Sequence, residues 1–143
     1  MARLFSIDQA EALLPRLIPL LETIQRLFQT LSVDRSGRSS PTRKRNTNGH
    51  GHTNGYAPEL PMASLEDAQR HRVLAETQLR HALGELLRHG VELKDPRTGL
   101  IDFRHERENR IVYLCWKLGE KRIEWWHELD TGVAGRLPLE RTE

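Results

Sequence analysis

The sequence predicts an α+β domain, an antiparallel hairpin of two helices packed on a small antiparallel meander of three to four strands. Three observations carry this. Apolar residues recur every three or four positions from Ala10 to Leu31 and again from Leu65 to Leu86. A low-complexity polar stretch separates the two runs. After Gly90 the period falls from 3.6 to two. The 143 residues suffice for one core. The chain therefore reads as a single domain, 1–143, with a disordered basic insert at 33–61, a β-meander at 91–128 and an extended tail at 129–143.

Ser6 with Gln9 three residues on is a capping box and opens the first helix. Ala10, Leu13, Leu17, Leu20, Ile24, Leu27 and Leu31 then mark a coiled-coil-like stripe, widened by Leu14, Ile18, Leu21 and Phe28. Pro15 and Pro19 lie inside it, four apart, and predict a bend. The insert holds no apolar cluster to offset the entropy of ordering it. A second helix is expected from Ser64, with Glu66 and Asp67 in its first turn and Gly90 as its stop. Its inner stripe reads Leu65, Ala68, Ala75, Leu79, Ala82 and Leu86, with Leu83 and Leu87 beside it and Arg72 breaking it. Glu66–Arg70 and Glu76–Arg80 are spaced as i,i+4 ion pairs. Short strands follow at 91–94, 100–103, 110–117 and 122–128, with 104–109 as a polar loop.

Charge and cysteine usage narrow the function classes. Five of the 22 basic and two of the 20 acidic residues fall in the insert, leaving 17 against 18 elsewhere. The folded part has no basic bias, so nucleic-acid binding is not expected except weakly through 35–45, where Arg43-Lys44-Arg45 lies. No apolar run reaches a membrane span, and Asp8 and Glu11 interrupt any leader-like core. Cys115 is the only cysteine, so neither an internal disulfide nor a CxxC pair exists. A cytoplasmic location is expected. His50 and His52 in the insert make at most a weak metal pair.

Three segments carry a family resemblance: Phe5-Ser-Ile-Asp-Gln-Ala-Glu-Ala-Leu-Leu-Pro15, Val112-Tyr-Leu-Cys-Trp-Lys-Leu-Gly-Glu120 and Trp126-His-Glu-Leu-Asp-Thr-Gly132. Together with Gly90–Phe103 they resemble the bacterial family catalogued as domain of unknown function 2203. The resemblance spans nearly the whole chain outside the insert. It implies a soluble domain with these boundaries and brings no established activity and no catalytic residues.

A two-residue turn at Gly119-Glu120 would set Trp116 opposite Ile123, Leu114 opposite Trp125 and Val112 opposite His127. Val112, Leu114, Trp116, Ile123 and Trp125 then face the helices. The outer face carries Tyr113, Cys115, Glu124, Trp126 and Glu128, an oily patch that needs a cover: the tail, a second copy or a ligand. The favoured function on these grounds is a non-enzymatic interaction or regulatory module, forming a homodimer or binding a protein partner through that face. The alternative is a metal-binding protein or metal-dependent enzyme using Asp102, His127, Glu128 and Cys115, with a divalent metal as its cofactor. In this register Asp102 and His127 face opposite sides, which weighs against the alternative. Cys115 has no evident base to make it a nucleophile.

Overall fold

The computed structural model describes residues 2–36 and 62–140. Most of the expected insert, with His50, His52 and Arg43–Arg45, lies outside the described residues. Helix α1 spans Ile7–Ser36 and α2 spans Met62–Arg88, followed by strands β1 (Glu92–Asp95), β2 (Leu100–Arg107), β3 (Arg110–Lys117), β4 (Trp125–His127) and β5 (Leu137–Pro138). The strands form one antiparallel sheet in chain order, a five-stranded meander.

The capping box forms in both directions. The Gln9 amide donates to Ser6 Oγ and the Ser6 amide to Gln9 Oε1, each at 3.0 Å. Ala10, Leu14, Leu17, Leu21, Ile24 and Leu27 point inward and are buried. Pro15 and Pro19 are exposed, so the carbonyls of Glu11 and Pro15 that lose a helical donor lie where water can replace it. Helix α2 begins two residues before Ser64, which leaves Glu66 and Asp67 beyond its first turn. Among its described residues Ala82 and Leu86 are buried in the core and Leu79 packs against it, while Leu65 of the expected stripe and Leu87 beside it are 56% and 74% exposed. Arg72 pairs with Glu76 at 3.3 Å, in place of the expected Glu76–Arg80 pair.

The sheet departs from the sequence reading at both hairpins. Strand β2 continues four residues past Phe103, and β2 and β3 join through two residues, Glu108 and Asn109, both with positive φ. That is the type I′ geometry that matches strand twist. Strands β3 and β4 are joined by the longer 118–124 loop. Its shape comes from Glu120, which accepts from the Lys117 amide through Oε1 (2.7 Å) and from the Trp116 indole N–H through its carbonyl (3.1 Å). Ile123 is pulled out of the ladder by Glu11 of α1, whose Oε1 accepts its amide proton at 3.1 Å.

As a result Leu114 pairs with Trp126, Cys115 with Trp125 and Tyr113 with His127. This is one residue away from the expected register and exchanges the faces of β4. Trp126 joins Ile101, Phe103, Val112, Leu114 and Trp116 in the core beneath α1, and Trp125 and His127 turn outward. Leu139 and Val91 close the ends of this core.

Candidate metal centre

The outer sheet face holds a buried polar cluster. In the run Leu100-Ile101-Asp102-Phe103, strand alternation sends Ile101 and Phe103 inward and Asp102 outward, directly opposite Cys115 on β3. The shifted register brings His127 from β4 alongside. Asp102, Cys115 and His127 are 1%, 1% and 2% exposed. One ligand atom from each lies within 4.8 Å of the others, and among the described residues this is the one such group of three.

The hydrogen bonds fix how protons are held. His127 Nδ1 lies 2.7 Å from the Glu128 carbonyl, which can only accept, so Nδ1 carries a proton. His127 Nε2 lies 3.0 Å from Asp102 Oδ2. Two lone pairs would repel at that distance, so imidazole and carboxyl share a proton across the gap. Asp102 Oδ1 is buried with no hydrogen-bond partner among the described residues. Burial pushes the Asp102 carboxyl above its ordinary range, against the pull of His127. Burial, and then the nearby Asp102 carboxylate, push the Cys115 thiol up to about 12.

The cluster is therefore no nucleophile–base triad. A triad needs one imidazole nitrogen on the thiol and the other on an orienting acid. Here a carbonyl takes Nδ1 and Asp102 takes Nε2. A thiol held this far above neutrality gives almost no thiolate.

Residues 129–136 lie across the cluster. Leu129, Gly132 and Val133 form, with Lys94, Leu100 and Tyr113, the walls of a pocket of about 370 Å³ that reaches Asp102 and His127. Arg136 anchors this segment through Glu120, at 2.8 and 3.0 Å, and its guanidinium sits 5.0 Å from the Trp125 ring centroid. Tyr113 packs against the His127 ring at 5.4 Å and is raised by burial and by its hydrogen bond to Glu92.

The residues singled out from the sequence thus separate. Tyr113 and Cys115 occupy the outer face as expected. Trp126 does not: it is a core residue. Glu124 is exposed in the 118–124 loop, where its carbonyl accepts from the Leu139 amide at 2.8 Å. The Glu128 side chain turns away to Arg110, and its contribution to the cluster is the backbone carbonyl that holds His127. Asp102 and His127, expected on opposite faces, meet. Lys94, Leu129, Val133 and Arg136 escaped the sequence reading: Lys94 comes from β1 at the edge of the sheet, and only the folded tail brings the other three to this face.

Fold and cluster define a class, an α+β domain of two helices on an antiparallel meander with a buried carboxyl–imidazole–thiol group on the far side of its sheet. The chain belongs to the family described as "Uncharacterized conserved protein (DUF2203)", whose model matches residues 3–139. No curated protein and no solved structure matches it significantly. No helix among the described residues is long and apolar enough to cross a membrane.

Proposed function

We propose that this domain binds a divalent transition-metal ion of the zinc class between Asp102, Cys115 and His127. The observation that carries the proposal is the buried Asp102 carboxyl, whose Oδ2 faces an imidazole nitrogen while its only other donor nearby among the described residues is the weak Cys115 thiol, which leaves Oδ1 without a well-formed hydrogen bond. A buried carboxyl oxygen without a strong donor is costly, and a cation removes that cost. Carboxylate, imidazole and thiolate are all ligands zinc accepts. Zinc bonds of about 2.0–2.3 Å place tetrahedral ligand atoms roughly 3.3–3.8 Å apart. The present separations, 3.0 Å for the Asp102–His127 contact and at most 4.8 Å across the set, approach this with side-chain adjustments on the order of 1 Å. The Glu128 carbonyl already holds Nδ1–H, the outer support that metal-binding imidazoles use. In this reading the cation takes the place of the shared proton.

Three protein donors leave one position of a tetrahedral set free, the pattern of catalytic rather than structural centres. When bound, the ion supplies Lewis acidity beside the pocket. The self-association reading drew on an uncovered outer face, and the 129–136 segment now supplies the cover.

Elemental analysis of untagged full-length protein tests the proposal. One zinc per chain is expected, kept by a His50→Ala/His52→Ala variant and lost from Asp102→Asn and Cys115→Ser. Cobalt(II) added to stripped protein should give a near-ultraviolet thiolate-to-cobalt band that Cys115→Ser removes. Absence of both the stoichiometric metal and this band rejects it.

A further inference from the structure

We propose, building on that metal centre, that the pocket beside it receives a small organic carboxylate, with the carboxylate completing the ion's coordination and the carbon chain lying against Leu129 and Val133. Asp102 and His127 both line the pocket and Cys115 does not. The free side of the centre therefore opens into this space. Charge selects an anion. With a divalent ion, one carboxylate, one thiolate and a neutral imidazole, the centre is neutral, so charge at the pocket comes from its surroundings.

Those surroundings put a cation, Lys94, in the pocket wall. Lys94 Nζ lies 3.4 Å from Glu92 Oε1, and Arg104 Nε lies 3.2 Å from Oε2 of the same carboxylate. Two cations share the Glu92 carboxylate, and Lys94, the one cation of the pocket wall among the described residues, lies 4.9 Å from the Tyr113 ring centroid. Of the two acids in that wall, Asp102 belongs to the centre and Asp95 turns its carboxylate into its own loop, accepting from the Arg97 amide and the Thr98 hydroxyl.

The remaining wall selects a carbon chain. Leu129 and Val133 are 48% and 46% exposed, both on the segment that roofs the cluster, and Leu100 lies beneath. A volume of about 370 Å³ suits a compact molecule. A cation and an open metal position take any anion, and the apolar surface beside them adds contacts that an organic acid can use and inorganic phosphate cannot.

Cobalt(II)-loaded full-length protein provides the test, because its visible bands respond to a new ligand on the metal. Acetate, butyrate, butanamide and inorganic phosphate are titrated separately. Butyrate should shift the bands saturably and more tightly than acetate, by about fourfold per added methylene at most. Butanamide and phosphate should shift them far less. Lys94→Met should weaken butyrate by up to about fivefold and leave cobalt affinity unchanged. If the thiolate band is present but butyrate moves nothing, or phosphate or butanamide does as well, the carboxylate inference fails and the metal centre stands. If no thiolate band forms, both fall.

Discussion

The two adjacent tryptophans of β4 give a sharp test of the fold, because a one-residue change in register exchanges their environments. Trp126 is 7% exposed in the core. Trp125 is half-buried on the outer face, beneath Arg136. Of the roughly 250 Å² an indole side chain can bury, well over 200 Å² of Trp126 is removed from water. At about 25 cal/mol per Å² this sets an upper bound near 5 kcal/mol. Partial collapse around the cavity leaves about 3–5 kcal/mol as the cost of Trp126→Ala. Trp125→Ala loses partial burial and one guanidinium–ring contact, about 1–2 kcal/mol. Urea titrations followed by far-ultraviolet circular dichroism measure both without relying on the altered fluorophores. With a slope of about 1.5–2 kcal/mol per molar, Trp126→Ala should lower the midpoint by roughly 2 M and Trp125→Ala by less than half as much. Equal losses, or a larger loss for Trp125→Ala, would refute the observed register and with it the meeting of His127 and Asp102.

Three further outcomes are expected. Gly99 has φ +68°, and an added Cβ would sit 2.5 Å from Leu118 Cδ1, whereas Gly119, at φ +100°, has nothing within 4 Å; Gly99→Ala should therefore cost more than Gly119→Ala in thermal melts, about 2–3 against about 1 kcal/mol. The metal-free Cys115 thiol keeps its proton to about 12, where the unfolded chain releases it near 9.0. Stability from this group is thus complete below pH 9 and lost as pH rises towards 12, so urea midpoints should fall more steeply over that window than in Cys115→Ser, by up to about 1.4 kcal/mol per pH unit. Ser6→Ala should cost about 1 kcal/mol, read as a lower melting temperature, by removing the cap of α1.

Much of the fold was legible because it follows from local chemistry. Ser6 and Gln9 announce the start of α1, and of its stripe Ala10, Leu17, Ile24 and Leu27 are buried, whereas Leu13, Leu20 and Leu31 are only partly so and Leu14 and Leu21 beside the stripe fill the core. Alternation in β2 and β3 places Asp102 and Cys115 on one face without knowledge of any partner. The site was hidden by two connections. Glu108-Asn109 reads as ordinary polar loop, yet as a two-residue turn it puts Asp102 opposite Cys115 by counting alone. Gly119-Glu120 reads as a tight turn. The path there is set by the Glu120 side chain folding back on β3 and by Glu11 reaching in from α1, more than a hundred residues away in sequence. Long-range hydrogen bonds of that kind leave no periodic signature. Leu65 and Leu87 fit the stripe of α2 but are exposed, since two helices on one sheet leave much of α2 without a neighbour.

The 118–124 connection also limits how this protein can change. Strand residues alternate between two sides, so the arc between β3 and β4 is constrained by parity as well as by length. A single-residue deletion or insertion there that the arc did not absorb would slip the ladder, drive an imidazole into the oily interior and expel an indole from it. Adding or removing two would restore both. Length changes in this arc should therefore be taken up within it, and an odd step that reaches the ladder should be matched by a compensating bulge in β4.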